Sequence, residues 1–310
     1  MNNYSPLRYP GGKVKTYGFI KSLIELNGCN HYIEPYAGGA GVAIKLLLNN
    51  DVKKITINDY DKSIYAFWYC VFNNTDSFIK LIEETPVTID EWYKQKEVQK
   101  KKLDSELDLL QLGFSTLFLN RTNRSGIIKA GVIGGKKQDG NYLIDCRFNK
   151  ESIIDKIYKI SKYSSSVVLT NKDAKDFINQ NIMKTKNSFT FFDPPYYQKG
   201  PSLYTNFYIH ENHLELSNLI KTKMKKRLWI LTYDISPNIF QMYGEEYRSI
   251  KYNLNYSIAK PSMGEEYMFF SQELNLRESD IFNYLNVIDN QKIKNEFKIH
   301  ELEKININMV

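Results

Sequence analysis

Asp193 is the carboxylate that the sequence places best for chemistry. The residues before it, Ser188–Phe192, are mostly aromatic or β-branched and predict a buried strand. Pro194 and Pro195 follow, and because each proline lacks an N–H and has a fixed φ, they exclude both a helix and further strand pairing. The carboxylate is thereby held on a stiff turn at the carboxyl end of a strand, where ligands bind in open α/β sheets. The same residues also suit an ordinary turn, so the rest of the chain must decide.

The turn Asp193–Tyr196 has the groups that methyl transfer to an aromatic amine needs. Such an amine is a poor nucleophile because its lone pair is delocalised into the ring. Two acceptors on its hydrogens, the Asp193 carboxylate and the Pro194 carbonyl, would favour a pyramidal nitrogen, and Tyr196 would stack on the base. A carboxylate of ordinary pKa does not deprotonate the amine first, so we expect the proton to leave after the methyl group arrives. The motif alone assigns no role to Tyr197.

Glycines and acids at the ends of two earlier strands form a second candidate site. Residues 31–35 predict a strand that leads into a glycine turn at 36–41, a helix, a second strand over 53–58 and then Asp59. The turn lacks both the G-x-G-x-x-G spacing and a Gly-Lys-Ser/Thr, which argues against a dinucleotide site and a P-loop. Glu34 and Asp59 suit ribose hydroxyls or a cationic ligand and would repel a phosphate. The alternative is a tight β–α turn without a ligand.

The N-terminal segment Arg8–Lys13 is a third candidate, because its glycines predict a loop. One interpretation is a loop that closes over a cofactor and offers Tyr9 and Lys13 to it. The other is a flexible arm with a solvated lysine.

The composition of the 310 residues is that of an ordinary globular protein, with 42% hydrophobic and 25% charged residues. The net charge of +7 favours a polyanionic partner, although only weakly. Three widely spaced cysteines argue against a disulfide framework and a zinc site, and the four histidines have no metal-binding spacing, so we expect no metal. No signal-peptide core and no long apolar run is present, and we predict a cytoplasmic protein without a membrane partner.

The order of the predicted elements indicates an α/β fold with an insertion. The β–glycine turn–α–β–acid pattern is half of a nucleotide-binding unit, and the sheet pattern resumes with strands at 167–170, 188–192, 228–233 and 266–271. Residues 62–112 predict mainly helices, and the glycine-rich, basic residues 113–150 predict a loop-and-hairpin surface. We therefore expect a discontinuous sheet domain formed by residues 1–61 and 151–275, with an insertion at residues 62–150. Residues 276–310 would form a helical C-terminal extension of unassigned role.

In this order, the motifs resemble those of the Dam family of DNA adenine-N6 methyltransferases. The resemblance covers about residues 5–271 and rests on Arg8–Lys13, Glu34–Gly41, Asn58–Asp59, Asn120–Gly126, Asp193–Tyr196 and Leu228–Asp234. Asp-Pro-Pro-Tyr is specific for amino methylation of bases, and its combination with the Pro-Gly-Gly-Lys and Glu-Pro-Tyr-Ala-Gly segments is highly specific. A recognition segment between the cofactor motif and the catalytic motif is the order of the alpha group.

The resemblance implies a Rossmann-like methyltransferase fold that uses S-adenosylmethionine. It implies that Asp59 binds the ribose, that Glu34 and the backbone of Gly38 lie near the methionine moiety, and that Asp173 bonds the adenine of the cofactor. The other cofactor-binding residues would be Tyr9, Lys13, Tyr36 and Asp193. The chain departs from the family at Ala40, where a glycine is frequent, and we expect a negative φ there to tolerate the methyl group.

The same resemblance implies that the target adenine leaves double-stranded DNA to reach Asp193. The segment 113–150 would recognise the target within a mostly helical and loop insertion. Arginine can bond guanine or phosphate, and the candidate DNA contacts are Arg121, Asn123, Arg124, Lys136 and Lys137. Any one of these side chains could instead be solvated surface.

Two other functions remain open at this point. One is a non-catalytic DNA-binding protein on the same scaffold, although a pure binder has no use for the carboxylate of Asp193. The other is a methyltransferase for cytosine N4 or for RNA; Asp rather than Ser before the two prolines, and the motif order, favour adenine in DNA. We expect a monomer that is encoded by a prokaryote or a phage. Whether a cognate restriction endonuclease accompanies it stays open at this point. The sequence does not give the recognition site.

Overall fold

The computed structural model describes residues 4–9, 11–198, 208–258 and 260–289, and its centre is an eight-stranded mixed sheet. The strands are β1 (His31–Glu34), β2 (Lys54–Asn58), β3 (Val167–Thr170), β4 (Ser188–Phe192), β5 (Leu228–Asp234), β6 (Arg248–Ile258), β7 (Lys260–Phe270) and β8 (Asn286–Asp289). Their order across the sheet is β3-β2-β1-β4-β5-β7-β6-β8. β1 to β5 are parallel, whereas β7 is antiparallel to both β5 and β6, and β8 is antiparallel to β6.

Helices cover the sheet and form the segment between β2 and β3. They are α1 (Tyr17–Leu26), α2 (Gly41–Leu48), α3 (Lys62–Asn73), α4 (Thr75–Glu84), α5 (Ile89–Lys100), α6 (Leu109–Thr122), α7 (Lys150–Ser161), α8 (Ala174–Gln180), α9 (His210–Lys223), α10 (Pro237–Tyr243) and α11 (Glu278–Tyr284). Within the described ranges, no helix is both long enough and apolar enough to cross a bilayer.

Both faces of the sheet are buried, which explains why its strands read as continuous apolar runs. Alternate side chains of a strand point to opposite faces. In β4, Phe191 packs with α1, α2 and α3 in one core, and Phe192 packs with α8, α9 and α10 in a second core. Ile230 and Leu231 of β5 divide in the same way. The predicted α/β fold is confirmed.

The strand order reverses between β1 and β4. His31 of β1 lies opposite Lys54 of β2 on one side and Ser188 of β4 on the other. The chain therefore adds β2 and β3 on one side and β4 and β5 on the other. A crevice opens at the carboxyl ends of the strands at such a switch point, and this position suits a ligand site.

The helical segment packs closely onto the sheet through α3 and α6. A Cβ at Gly113 of α6 would lie 2.5 Å from Cys70 Sγ and 2.7 Å from the Ala66 carbonyl oxygen, both on α3. Trp68 of α3 and Phe118 of α6 belong to the same core as the sheet residues. A glycine is thus required at 113 because it lets the two helix backbones approach each other.

The structure corrects three predictions about secondary structure. α6 continues to Thr122, so the predicted loop surface begins ten residues later than residue 113. A long strand, β6, pairs with β7, whereas the sequence predicts a strand only in the region of β7. In the C-terminal extension, α11 confirms a helix but β8 follows it, and residues 290–310 lie outside the described residues.

Candidate active site

A cavity of about 470 Å³ lies at the carboxyl ends of β1, β2 and β4. The N-terminal loop forms one wall, and the glycine turn after β1 forms another. The structure brings together in its lining all the cofactor-binding residues predicted from the sequence, namely Tyr9, Lys13, Glu34, Tyr36, Gly38, Asp59, Asp173 and Asp193.

An ion pair joins the N-terminal loop to the end of β4. The Lys13 ammonium donates to Asp193 Oδ1 at 2.8 Å and to Oδ2 at 2.9 Å, and it also donates to the Gly11 carbonyl at 3.1 Å. Lys13 is 6% exposed. Thr232 of β5 donates its hydroxyl to Asp193 Oδ1 at 2.7 Å. The Asp193 carboxylate is therefore fixed from two sides, and the predicted solvated lysine arm is not what the structure has.

The charges of this pair depend on a third group, Glu266. Burial raises the pKa of Asp193 above its ordinary value; Lys13 opposes this shift, and Glu266 adds to it. Burial alone would lower the pKa of Lys13, but Asp193 and Glu266 raise it above its ordinary value. Lys13 thus stays protonated, and it favours an ionised Asp193 at neutral pH.

Tyr196 lies behind the ion pair. It is 1% exposed, and its hydroxyl accepts a hydrogen bond from Lys13 at 2.8 Å and donates to Glu266 Oε1. The Lys13 ammonium also lies 5.1 Å from the centre of the Tyr196 ring. In this arrangement the ring presents almost no surface on which a base could stack.

Asp234 at the end of β5 shapes the turn that carries Asp193. Its carboxylate accepts the backbone N–H groups of Tyr197 at 2.8 Å and Gln198 at 2.9 Å. Thr232 and Asp234 are two residues apart on one strand, so both side chains point to the same face of the sheet. As a result, Thr232 reaches the carboxylate of Asp193, and Asp234 reaches the backbone of the turn that follows the two prolines.

Gly38 lies where only a glycine fits. Its φ is +45°, and a Cβ there would lie 2.6 Å from the ring of Tyr9. Its N–H donates to Asp59 Oδ2 at 2.8 Å, and its carbonyl accepts from Trp68 Nε1 at 3.0 Å. The glycine turn is thus held between Asp59 and the N-terminal loop, and the two candidate regions form one wall.

Glu34, which is buried, and Asp59, which is partly buried, are acids with raised pKa values. Burial raises the pKa of Glu34 to about 8, although its Oε1 accepts from the Tyr32 hydroxyl at 2.9 Å and from the Ala43 N–H at 3.3 Å. Burial, with a contribution from Asp61, raises the pKa of Asp59 to about 7. Among the described residues, no cationic side chain forms an ion pair with Glu34.

Ala40 contradicts the expectation of a negative φ. Its φ is +44° and its ψ is +33°, in the left-handed region, where it caps the start of α2. Its N–H donates to the Ala37 carbonyl at 2.6 Å, and its carbonyl accepts from Ile44 at 2.9 Å. These bonds, and the packing of a methyl group that is 2% exposed, hold alanine in a conformation that glycine adopts without strain.

Asp173 and Tyr36 also line the cavity. Asp173 caps α8 by accepting the N–H of Lys175 at 2.8 Å. The hydroxyls of Tyr36 and Tyr208 lie 3.0 Å apart, and both residues line the cavity. Asp173, Tyr36 and Tyr208 thus add polar groups to the lining.

The predicted DNA contacts divide into exposed and buried residues. Arg124, Lys136 and Lys137 are exposed. Arg121 is partly buried on the last turn of α6; its Nε has no hydrogen-bond partner among the described residues, and burial lowers its pKa to about 10, with Arg8 adding to the shift.

The structure contradicts the prediction that Asn123 contacts DNA. It is fully buried, its Oδ1 accepts from Trp92 Nε1 at 2.6 Å, and its Nδ2 donates to the carbonyls of Ile127 and Ile128 at 3.2 and 2.8 Å. An amide that is bonded in this way fixes the loop and has no donor left for DNA.

Sequence reasoning missed Thr232, Asp234 and Glu266 as site residues. The end of a strand at Asp234 was visible in the sequence and could have indicated a fourth acid at the same edge. Nothing local marks Glu266, which lies inside a strand and reaches the site only through the pairing of β7 with β5.

Comparisons with known proteins agree with this geometry. The chain is similar to Type II methyltransferase M.MjaIII of Methanocaldococcus jannaschii, with 27% identity over 207 residues that cover 61% of this chain and 68% of that protein. It is also similar to Type II methyltransferase M.CviBI of Paramecium bursaria Chlorella virus NC1A, with 25% identity over 231 residues that cover 73% and 81% of the two chains.

A family model described as D12 class N6 adenine-specific DNA methyltransferase matches residues 9–258, which is most of the 310 residues. The family's description names adenine, its N6 position and DNA, and these are the base, the methylated atom and the nucleic acid that the motifs predict. The predicted enzyme class is therefore confirmed. Neither a non-catalytic DNA binder nor a methyltransferase for cytosine or RNA is indicated. The chain belongs to the D12 class N6 adenine-specific DNA methyltransferase family.

Proposed function

We propose that this methyltransferase uses S-adenosylmethionine to methylate N6 of an adenine that is flipped out of double-stranded DNA. The observation that carries the proposal is the ion pair of Asp193 with the buried Lys13, at the wall of a cavity that Glu34 and Asp59 also line. A carboxylate for the amine and a pocket for the methyl donor therefore share one space. The volume of about 470 Å³ lies in the range of ligand pockets.

The cavity fits a cofactor with a ribose and a positively charged methionine end. Asp59 accepts two backbone N–H groups and keeps lone pairs for ribose hydroxyls. The buried charge of Glu34 would be offset by a cationic ligand, next to the backbone of Gly38. We assign the cofactor's adenine to Asp173 and the remaining wall to Tyr9, Lys13, Tyr36 and Asp193. When bound, the cofactor supplies a methyl group on a positively charged sulfur.

The Asp193 carboxylate and the Pro194 carbonyl would accept the two hydrogens of the N6 amine, which localises its lone pair. Lys13 and Thr232 hold the carboxylate in place before the base arrives. After the methyl group has been transferred, N6 carries one proton too many, and the carboxylate is placed to receive it. Tyr196 is proposed to stack on the base, and because its ring is 1% exposed, this contact requires the residues that cover the ring to move aside when DNA binds, while its hydroxyl stays bonded to Lys13 and Glu266.

The segment 62–150 is proposed to recognise the DNA. Arg124, Lys136 and Lys137 are exposed and can contact phosphates or base edges, and Arg121 brings a partly buried guanidinium whose Nε is unsatisfied. Lys136 lies 5.7 Å from the ring of Tyr93, which limits its freedom. Asn123 is withdrawn from this set. Flipping the adenine requires a few kcal/mol, which these contacts would supply.

The biological context is inferred from the relatives. Both are named type II methyltransferases, which supports a role in restriction and modification with a cognate endonuclease. One comes from an archaeon and one from a virus, in line with a prokaryotic or phage-encoded enzyme that acts in the cytoplasm. The monomer remains our working assumption.

The test is methylation of unmethylated genomic DNA, followed by mass spectrometry of the released nucleosides. We expect N6-methyl-2′-deoxyadenosine from the wild type, none from Asp193→Ala, and wild-type levels from Asp176→Ala, a control at an exposed aspartate of α8. Calorimetry should detect S-adenosylmethionine binding to the free protein. Wild-type rates for Asp193→Ala would refute the catalytic assignment, and an absence of S-adenosylmethionine binding would refute the cofactor.

A further inference from the structure

Glu266 is a buried acid in the middle of β7 that the chemistry above does not use. It is 0% exposed. The register places it between Asp234 of β5 and Tyr252 of β6, and residues directly opposite each other in antiparallel strands point to the same face. Its carboxylate therefore faces the turn that carries Asp193.

The contacts of Glu266 lead to the reaction centre. Its Oε1 accepts from the Tyr196 hydroxyl and lies 3.5 Å from the Lys13 ammonium. Its Oε2 accepts from the Tyr252 hydroxyl at 2.6 Å. Lys13 in turn donates to both oxygens of Asp193. A continuous set of hydrogen bonds thus joins Glu266 to the carboxylate that would hold the amine.

One cation serves two carboxylates at this place. Lys13 is closer to Asp193, at 2.8 Å, than to Glu266, at 3.5 Å. A buried carboxylate is costly unless it is paired and hydrogen-bonded, and an apolar residue at position 266 would fill the same core. When the substrate amine occupies Asp193, Lys13 has a second anion within reach that keeps it at the site.

We propose that Glu266 is a positioning residue for methyl transfer, which fixes the Tyr196 phenol and holds Lys13 while Asp193 binds the amine. This inference rests on the proposed role of Asp193. Its effect should fall on kcat rather than on the affinities for DNA and cofactor, because Glu266 itself does not line the cavity and contributes only the orientation of Tyr196 and Lys13.

The test compares Glu266→Gln with Tyr252→Phe. Glu266→Gln keeps the size of the side chain and removes its charge, and we expect kcat to fall by about tenfold or more, with KM for DNA and cofactor changed less than about threefold. Tyr252→Phe removes a different hydrogen bond of the same carboxylate, the one that the Tyr252 hydroxyl donates to Oε2. We expect kcat to change less than about threefold in this control. Thermal melting of both variants separates loss of fold from loss of rate.

Tyr196→Phe tests the inference without changing Glu266, and a double-mutant cycle then tests whether the two residues act together. Tyr196→Phe keeps the ring but removes the hydroxyl, so we expect about the same loss of kcat, and the two substitutions together should cost no more than either alone. Additive effects, or wild-type kcat in both single variants while Asp193→Ala is inactive, would overturn the role of Glu266. Activity in Asp193→Ala would instead overturn the proposed site itself.

Discussion

Replacing Lys13 by methionine should show how much the buried charges depend on one cation. Met has a similar length and can fill the same space, so the change removes the charge and four hydrogen bonds with little loss of packing. Glu266, which is 0% exposed, and Asp193, whose side chain is 25% exposed, would then be two carboxylates without their cation. Breaking a buried ion pair from one side costs about 3–5 kcal/mol.

The size of this loss should depend on pH. A carboxyl group of ordinary pKa near 4 can escape the penalty by taking up a proton, at a cost of about 1.4 kcal/mol per pH unit above that pKa. The loss is therefore limited to roughly 5 kcal/mol per group at about pH 8 and to roughly 1.5 kcal/mol at about pH 5. The loss is larger at high pH for the following reason. A carboxyl group whose pKa is raised in the folded state binds its proton more tightly there, which favours the folded state at low pH, and this contribution is lost as the pH rises.

The assay is urea unfolding, followed by circular dichroism at both pH values, with the free energy of unfolding taken from each curve. Lys53→Met, at an exposed lysine before β2, serves as the control and should change stability by less than about 0.5 kcal/mol. A loss below about 1 kcal/mol at the higher pH, or an equal loss at both, would refute the reasoning that Lys13 compensates the charges of Asp193 and Glu266.

Two further predictions concern the cofactor pocket. Gly38→Ala places a Cβ 2.6 Å from the Tyr9 ring at a φ of +45°, so S-adenosylmethionine affinity should fall at least about tenfold in calorimetry, whereas Gly131→Ala, where no atom lies within 4 Å, should leave it unchanged. The affinity of the wild type for the cationic cofactor should rise with pH through about 7 and about 8, as Asp59 and Glu34 lose their protons. Glu34→Gln should remove the upper step, and an unchanged pH profile in that variant would contradict the role of Glu34.

The local patterns of the chain predicted the parts of the site that depend on neighbours in sequence. Strand ends at Glu34, Asp59 and Asp193 follow from apolar runs that stop at an acid, and parallel strands bring those ends to one edge. Two prolines after Asp193 identify a rigid turn without reference to any other segment. These predictions needed only the periods of secondary structure and the chemistry of turns.

The remaining features depend on contacts between distant segments. Thr232 and Glu266 lie 39 and 73 residues after Asp193 and are ordinary strand residues until the sheet order is known. An asparagine such as Asn123 can either anchor a buried loop or contact DNA, and its side chain suits both roles. Only the positions of Trp92 and Ile128, which bond its amide, show that it is a loop anchor. The positive φ of Ala40 could not be predicted either, because it is imposed by the packing of α2.

The position of β7 between β5 and β6 has a consequence for synthesis of the chain. β6 leaves the ribosome first but does not pair with β5, so residues 230–234 keep an open strand edge until β7 has been made. A nascent chain that ends before residue 260 therefore has its N-terminal loop, its glycine turn and its Asp-Pro-Pro-Tyr turn, but not Glu266. The order of strands in the sheet thus delays completion of the reaction centre until nearly the whole fold has been translated.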